Sequence, residues 1–288
     1  MLIDQVAVAE KVRALGRDIL PAIPGSAALY AAEHEREPYQ GVEVTRDARY
    51  GSHERHRLDV FRRPDGVARK PMFVFVHGGG FVMGDKRPPG SPYNDNVALW
   101  AARRGMVGVN ITYRLAPEFA YPAGSEDLAA AVVWLRVHAE AYGGDPDRIF
   151  VIGTSAGAAH VAVFLAQPMF EEARRGVAGG IMLSGVYVLA GSQDPHAYFG
   201  ADPAIFAERS SLHGLLESPI PLLFGLAEFE PFIFEQQAAL VINSWMVRHG
   251  RWPNFIRMLG HNHLTATMHL NSSDDYLGQQ LQVFMSRC

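Results

Sequence analysis

One cysteine occurs in 288 residues, and it is the last of them, Cys288. A disulfide framework, a cysteine-rich zinc module and an internal cysteine nucleophile are thereby excluded. The chain also lacks any apolar run of the roughly 20 residues that a membrane-spanning helix needs. Its opening, Met1-Leu-Ile-Asp-Gln-Val6, has neither the basic start nor the long apolar stretch of a secretory signal. A cytoplasmic location without stable membrane insertion is therefore expected. Basic residues are not in surplus: 26 Lys and Arg against 30 Asp and Glu leave a net charge of −4, so nothing draws the chain to nucleic acid or anionic lipid. Hydrophobic residues make up 48% and charged residues 19%, a balance that excludes disorder and supplies a core. No internal repeat, low-complexity tract or separating linker is present.

What is present is a rhythm. Met72-Phe-Val-Phe-Val-His77, Met106 to Ile111, Arg148 to Gly153, Gly180 to Ser184, Pro221 to Phe224 and Phe255 to Leu259 are short runs rich in β-formers. Helical patterns fall between or after them, at 94–104, 126–142, 156–166, 235–249 and 274–285. Strands buried on both faces and alternating with helices predict a mostly parallel sheet flanked by helices, in one domain over 1–288. Val8, Val12, Leu15 and Ile19 recur at helical spacing, which predicts one amphipathic helix over about 4–20, ended by Pro21 and Pro24. This helix and residues 187–218 stand outside the rhythm.

Two motifs carry chemistry. Gly153-Thr-Ser155-Ala-Gly157 follows an apolar strand and opens an apolar helix, the context of a nucleophile elbow. Such a turn strains the serine backbone and tolerates only small neighbours. The second is His77-Gly78-Gly79-Gly80-Phe81, a glycine run whose bare N–H groups suit a developing oxyanion. Phosphate binding is the rival, but no P-loop is present, and Met83 stands where a dinucleotide loop from Gly78 needs its third glycine.

At these residues the chain resembles the α/β-hydrolase fold, and within it the hormone-sensitive-lipase-like carboxylesterases. Tyr113-Arg-Leu-Ala-Pro-Glu118, Pro122-Ala-Gly-Ser-Glu-Asp127, Gly143-Gly-Asp-Pro-Asp-Arg148 and Ala227-Glu-Phe-Glu-Pro231 add to the likeness. It implies a serine esterase of short- to medium-chain acyl or aryl esters, a small-molecule substrate, no cofactor and no metal, with room for a homodimer. It also implies a small helical cap, placed here at about 1–40 and 187–218. The family order of serine, acid, histidine puts the acid at Glu230, where relatives often carry aspartate, with Glu228 as competitor. The histidine falls at His263, which a leucine follows into the last helix, with His261 as competitor. The resemblance further implies an oxyanion hole from the amides of Gly79, Gly80 and Ala156. Phe81, Phe229 and Phe232 lie close enough in sequence to these positions to be expected in the substrate pocket. His77 is expected to orient the glycine loop, and Arg114 and Asp127 to support the fold. An amide hydrolase and a non-catalytic ligand receptor are the alternative functions on this fold. His261, His263 and His269 form a pattern that zinc hydrolases also use, though no acidic ligand cluster accompanies it in the sequence.

Overall fold

The structure, a computed structural model, describes residues 5–190 and 196–288; residues 191–195 of the expected cap and the start of the expected first helix lie outside these. The strands are β1 Glu43–Arg49, β2 Arg57–Arg62, β3 Lys70–Val76, β4 Val107–Ile111, β5 Gly144–Thr154, β6 Val177–Leu183, β7 Leu222–Phe229 and β8 Phe255–Asn262. They form one sheet in the order β1-β2-β4-β3-β5-β6-β7-β8. β2 is antiparallel to both its neighbours, and every other pairing is parallel. The helices are α1 Gln5–Ala14, α2 Ile19–Tyr30, α3 Asp95–Arg103, α4 Ala123–His138, α5 Ala156–Ala166, α6 His196–Phe199, α7 Phe206–Arg209, α8 Leu212–Leu216, α9 Phe232–His249, α10 Thr265–Met268 and α11 Tyr276–Met285. Among the described residues no helix is long and apolar enough to cross a membrane.

The continuous apolar runs are explained by burial on both faces. Alternate residues of β3 and β5, such as Val74, Val76 and Val151, pack against Leu128, Val132 and Leu135 of α4 and Val161 of α5. Their sequence neighbours Phe73, Phe75, Phe150 and Ile152 point the other way, against Trp100 of α3 and Leu277, Leu281 and Phe284 of α11. Each such fully buried side chain contributes about 1.5–3 kcal/mol. Helices α4 and α9 begin three residues earlier than the patterns at 126 and 235 predict. Each starts directly after a proline, Pro122 or Pro231, which has no N–H to leave unpaired at a helix start.

The N-terminal expectation is corrected. The first helix stops at Ala14, Gly16 turns the chain at φ 78°, and a second helix starts at Ile19. Pro21 lies in the first turn of α2, where a missing N–H breaks no bond, and Pro24 is accommodated inside the helix. Of the apolar stripe only Val12 is fully buried. α1 packs along β8: a side chain on Gly260 would meet Ala9 Cβ at 3.0 Å. α1 and α2 therefore cover the sheet edge where β8 ends.

Candidate active site

β5 runs into α5 through Ser155, whose backbone sits at φ 55°, ψ −123°. The local packing enforces this turn. A Cβ on Gly153 would lie 2.2 Å from the carbonyl oxygen of Gly157, and one on Gly157 would lie 2.1 Å from that of Val76. Both flanking glycines are thus fixed by contact with backbone, and the serine is lifted above the end of the sheet, partly exposed. Its N–H still bonds Leu183 at 2.9 Å, which ties the elbow to β6.

The glycine loop follows β3, the sheet neighbour of β5. It passes so close to the elbow that a Cβ on Gly78 would stand 3.2 Å from Ser155 Cβ. Gly79 has φ 129°, and any side chain there would collide with the carbonyl of Met83 at 2.0 Å. The carbonyl of Gly79 accepts from the N–H groups of Val82 and Met83 at 3.2 and 3.1 Å. Among the described residues the N–H groups of Gly79, Gly80 and Ala156 have no protein acceptor. Ala156 is the first residue of α5, where the positive end of the helix dipole adds to its N–H. His77 holds the loop from behind: Nδ1 donates to the carbonyl of Gly78 at 2.6 Å, and the ring stacks on Tyr113 at 4.4 Å. Tyr113 Oη donates to the carbonyl of His77 at 2.8 Å. Burial pushes the His77 imidazole down to about 4, so it stays neutral.

Glu230 and His263 lie just past the ends of β7 and β8. Both are buried, and His263 Nδ1 donates to Glu230 Oε2 at 2.6 Å. A carboxylate only accepts, so this bond places the proton on Nδ1 and leaves the Nε2 lone pair free. The other carboxylate oxygen, Oε1, accepts from Ser184 Oγ and from the N–H of Ala227, the latter at 3.3 Å. Ser184 directly follows β6 and was not singled out in the sequence. Only the pairing of β6 with β7 puts it beside the acid, and a lone serine after an apolar strand carries no such signal. Four adjacent strand ends, β5 to β8, thus carry Ser155, Ser184, Glu230 and His263 in a row.

The alpha/beta hydrolase fold family matches residues 73–225, more than half of the chain and the span from β3 into β7. The chain belongs to that family. It is 32% identical over 237 residues to esterase LipQ of Mycobacterium tuberculosis, covering 77% of this chain and 52% of LipQ. It is 35% identical over 161 residues to the probable carboxylic ester hydrolase LipM of the same organism, covering 51% of this chain and 36% of LipM. The chain therefore spans about half or less of the length of these curated relatives. Among solved structures it resembles esterase B from Lactobacillus rhamnosis, with TM-score 0.72, 18% identity, and 99% and 96% of the two chains covered. A hyperthermophilic esterase from Pyrobaculum calidifontis gives TM-score 0.69, 21% identity, and 98% and 97% coverage. At such identities the likeness is one of fold.

In this alpha/beta hydrolase the competing candidates have other partners. Glu228 Oε2 accepts the N–H of Gly260 at 2.8 Å. His261 Nε2 faces Asp274 at 3.4 Å, and its ring stacks on His269 at 4.1 Å. Ligand atoms of His261, His269 and Asp274 lie within 4.8 Å of one another, whereas His263 is turned to Glu230. His269 has no nitrogen to spare: Nδ1 donates to the carbonyl of Thr265 at 2.7 Å, and Nε2 accepts from the N–H of Leu277 at 3.3 Å. His261 Nδ1, by contrast, is buried without a hydrogen-bond partner among the described residues. Asp127 is buried and accepts from the N–H of Arg114 at 2.6 Å, from its Nε at 2.8 Å and from His56 Nε2 at 3.0 Å, which supports the fold under the glycine loop. Of the three phenylalanines expected at a pocket, Phe81 is buried and stacks on Tyr198 at 4.7 Å. Phe229 is half-buried beneath Arg13, and Phe232 is exposed at the start of α9.

Proposed function

We propose that the chain is a serine carboxylesterase acting on short- to medium-chain acyl or aryl esters. The observation that carries this reading is the Glu230–His263 hydrogen bond, at the same row of strand ends as a strained serine and a loop of unpaired N–H groups. Relatives named as esterases support the choice of ester. In this reading Ser155 Oγ attacks the ester carbonyl carbon while His263 Nε2 takes its proton. Glu230 holds the imidazole in the right tautomer and stabilises the imidazolium. The N–H groups of Gly79, Gly80 and Ala156 receive the oxyanion. Collapse of the tetrahedral intermediate expels the alcohol, protonated by His263, and leaves an acyl-serine. Water, deprotonated by His263, then releases the acid and restores Ser155. In this reading Phe229 and Phe232, with α1, α2 and the described parts of the segment 187–218, at 187–190 and 197–218, form the mouth that receives the acyl chain.

The test is a panel of p-nitrophenyl esters from C2 to C10 and matching aryl amides, with wild type and Ser155→Ala. Ester turnover that vanishes in Ser155→Ala supports the reading. Amide turnover exceeding ester turnover, or esterase activity retained by the variant, contradicts it.

A further inference from the structure

Glu230 and His263 each stand one residue beyond a strand, where the ladder no longer fixes the backbone, and β8 is the edge of the sheet. The N-terminal helices reach both positions. Arg17, in the connection between α1 and α2, donates from Nη1 to the carbonyl of Glu230 at 2.9 Å and to Glu235 Oε1 at 2.8 Å. Ser26, on α2, is fully buried, and its Oγ accepts from Asn262 Nδ2 at 2.9 Å. Asn262 immediately precedes His263. Its Oδ1 accepts from the N–H groups of Leu264 and Thr265 at 3.1 and 3.0 Å, and its own N–H donates to Thr265 Oγ1 at 2.9 Å. The asparagine side chain thus closes the turn that carries His263, and Ser26 holds the asparagine.

We propose that Arg17 and Ser26 are positioning residues for the acid–base pair. Arg17 fixes the backbone of Glu230 and Ser26 fixes the turn of His263, so that the two meet at hydrogen-bond distance. The kinetic consequence rests on the esterase reading; the geometric consequence does not. A misplacement of about 1 Å can cost on the order of a hundredfold in rate. Loss of one bond of this kind is therefore expected to lower kcat by about tenfold.

The experiment uses the full chain with Arg17→Met, Ser26→Ala and the conservative Ser26→Thr. Two quantities are read: kcat and KM for p-nitrophenyl butyrate, and the downfield proton NMR resonance of His263 Nδ1–H, assigned by its loss in His263→Ala. Expected are a kcat about tenfold lower in Arg17→Met and Ser26→Ala with KM within about twofold, a shifted or broadened resonance in both, and recovery in Ser26→Thr. An unchanged kcat and resonance, with only a lower Tm, would overturn the proposal and leave these contacts a purely structural role. If Ser26→Ala does not fold, Arg17→Met decides alone, because that side chain is half-exposed and its loss leaves no buried gap. A resonance that moves in an enzyme turning over no ester would sustain the positioning role and reject the esterase reading.

Discussion

The Ser155 backbone is strained, and the glycines at 153 and 157 are what sustain it. Ser155→Ala keeps the turn and is expected to lower kcat by about 10⁴- to 10⁶-fold, measured with p-nitrophenyl butyrate. Retention of more than a few per cent of the rate would contradict a serine nucleophile. Glu230→Gln and His263→Ala are each expected to cost at least about a hundredfold. Glu228→Gln and His261→Ala should cost far less, because Glu228 serves the N–H of Gly260, which a glutamine oxygen still accepts, and His261 serves Asp274. A reversed order would mean that the other acid and histidine do the work. The serine and both glycine motifs were legible because steric need fixes residue type at fixed spacing. The choices of His263 over His261 and of Glu230 over Glu228 both rested on resemblance to the fold family. Ser184 was not legible, because its partner lies 46 residues away and meets it only through strand pairing.

At the scale of elements, the α5–β3 contact is the tightest test of the elbow. Gly157→Ala would force a methyl group against the carbonyl oxygens of Val76 and His77, at 2.1 and 2.6 Å. Such overpacking is expected to cost on the order of 3 kcal/mol and to lower Tm by roughly 5–10 °C, with activity lost together with the turn. An unshifted Tm would contradict the packing described. The strand-and-helix rhythm was readable because strands buried on both faces leave unbroken apolar runs. The N-terminal pair was misread as one helix because a proline in a helix's first turn looks, in sequence, like a stop. Gly16 was the signal that marked the true break. Deleting residues 1–20 removes Arg17 as well as α1, so a fall in kcat is expected beside any change in acyl-chain preference.

For the molecule as a whole, buried neutral imidazoles set its response to acid. Burial holds His77 down to about 4 and His160 to about 3, whereas both titrate near about 6.5 when unfolded. In the window between, the unfolded chain binds protons that the folded one refuses. Stability is therefore full above about pH 6.5 and falls with pH from there toward 4, by roughly 1.4 kcal/mol per unit for each histidine. His160→Leu is expected to flatten this slope in a series of Tm values against pH; an equal slope would contradict it. Other parts of the molecule were closed to sequence reading. Arg46 bonds the buried Asp59 and Asp95 at 2.7 Å, and Lys86 joins Asp59 at 2.8 Å. Residues this far apart in the chain become one network only when β1, β2 and α3 assemble.

The central claim is that Ser155 is a nucleophile activated by the His263–Glu230 pair. Its most direct measurement is labelling with a p-nitrophenyl alkylphosphonate, read by intact mass and peptide mapping. The expected result is one adduct, on Ser155, formed rapidly in wild type and at least about a hundredfold more slowly in His263→Ala. No adduct, or an adduct elsewhere while ester hydrolysis continues, would contradict the account.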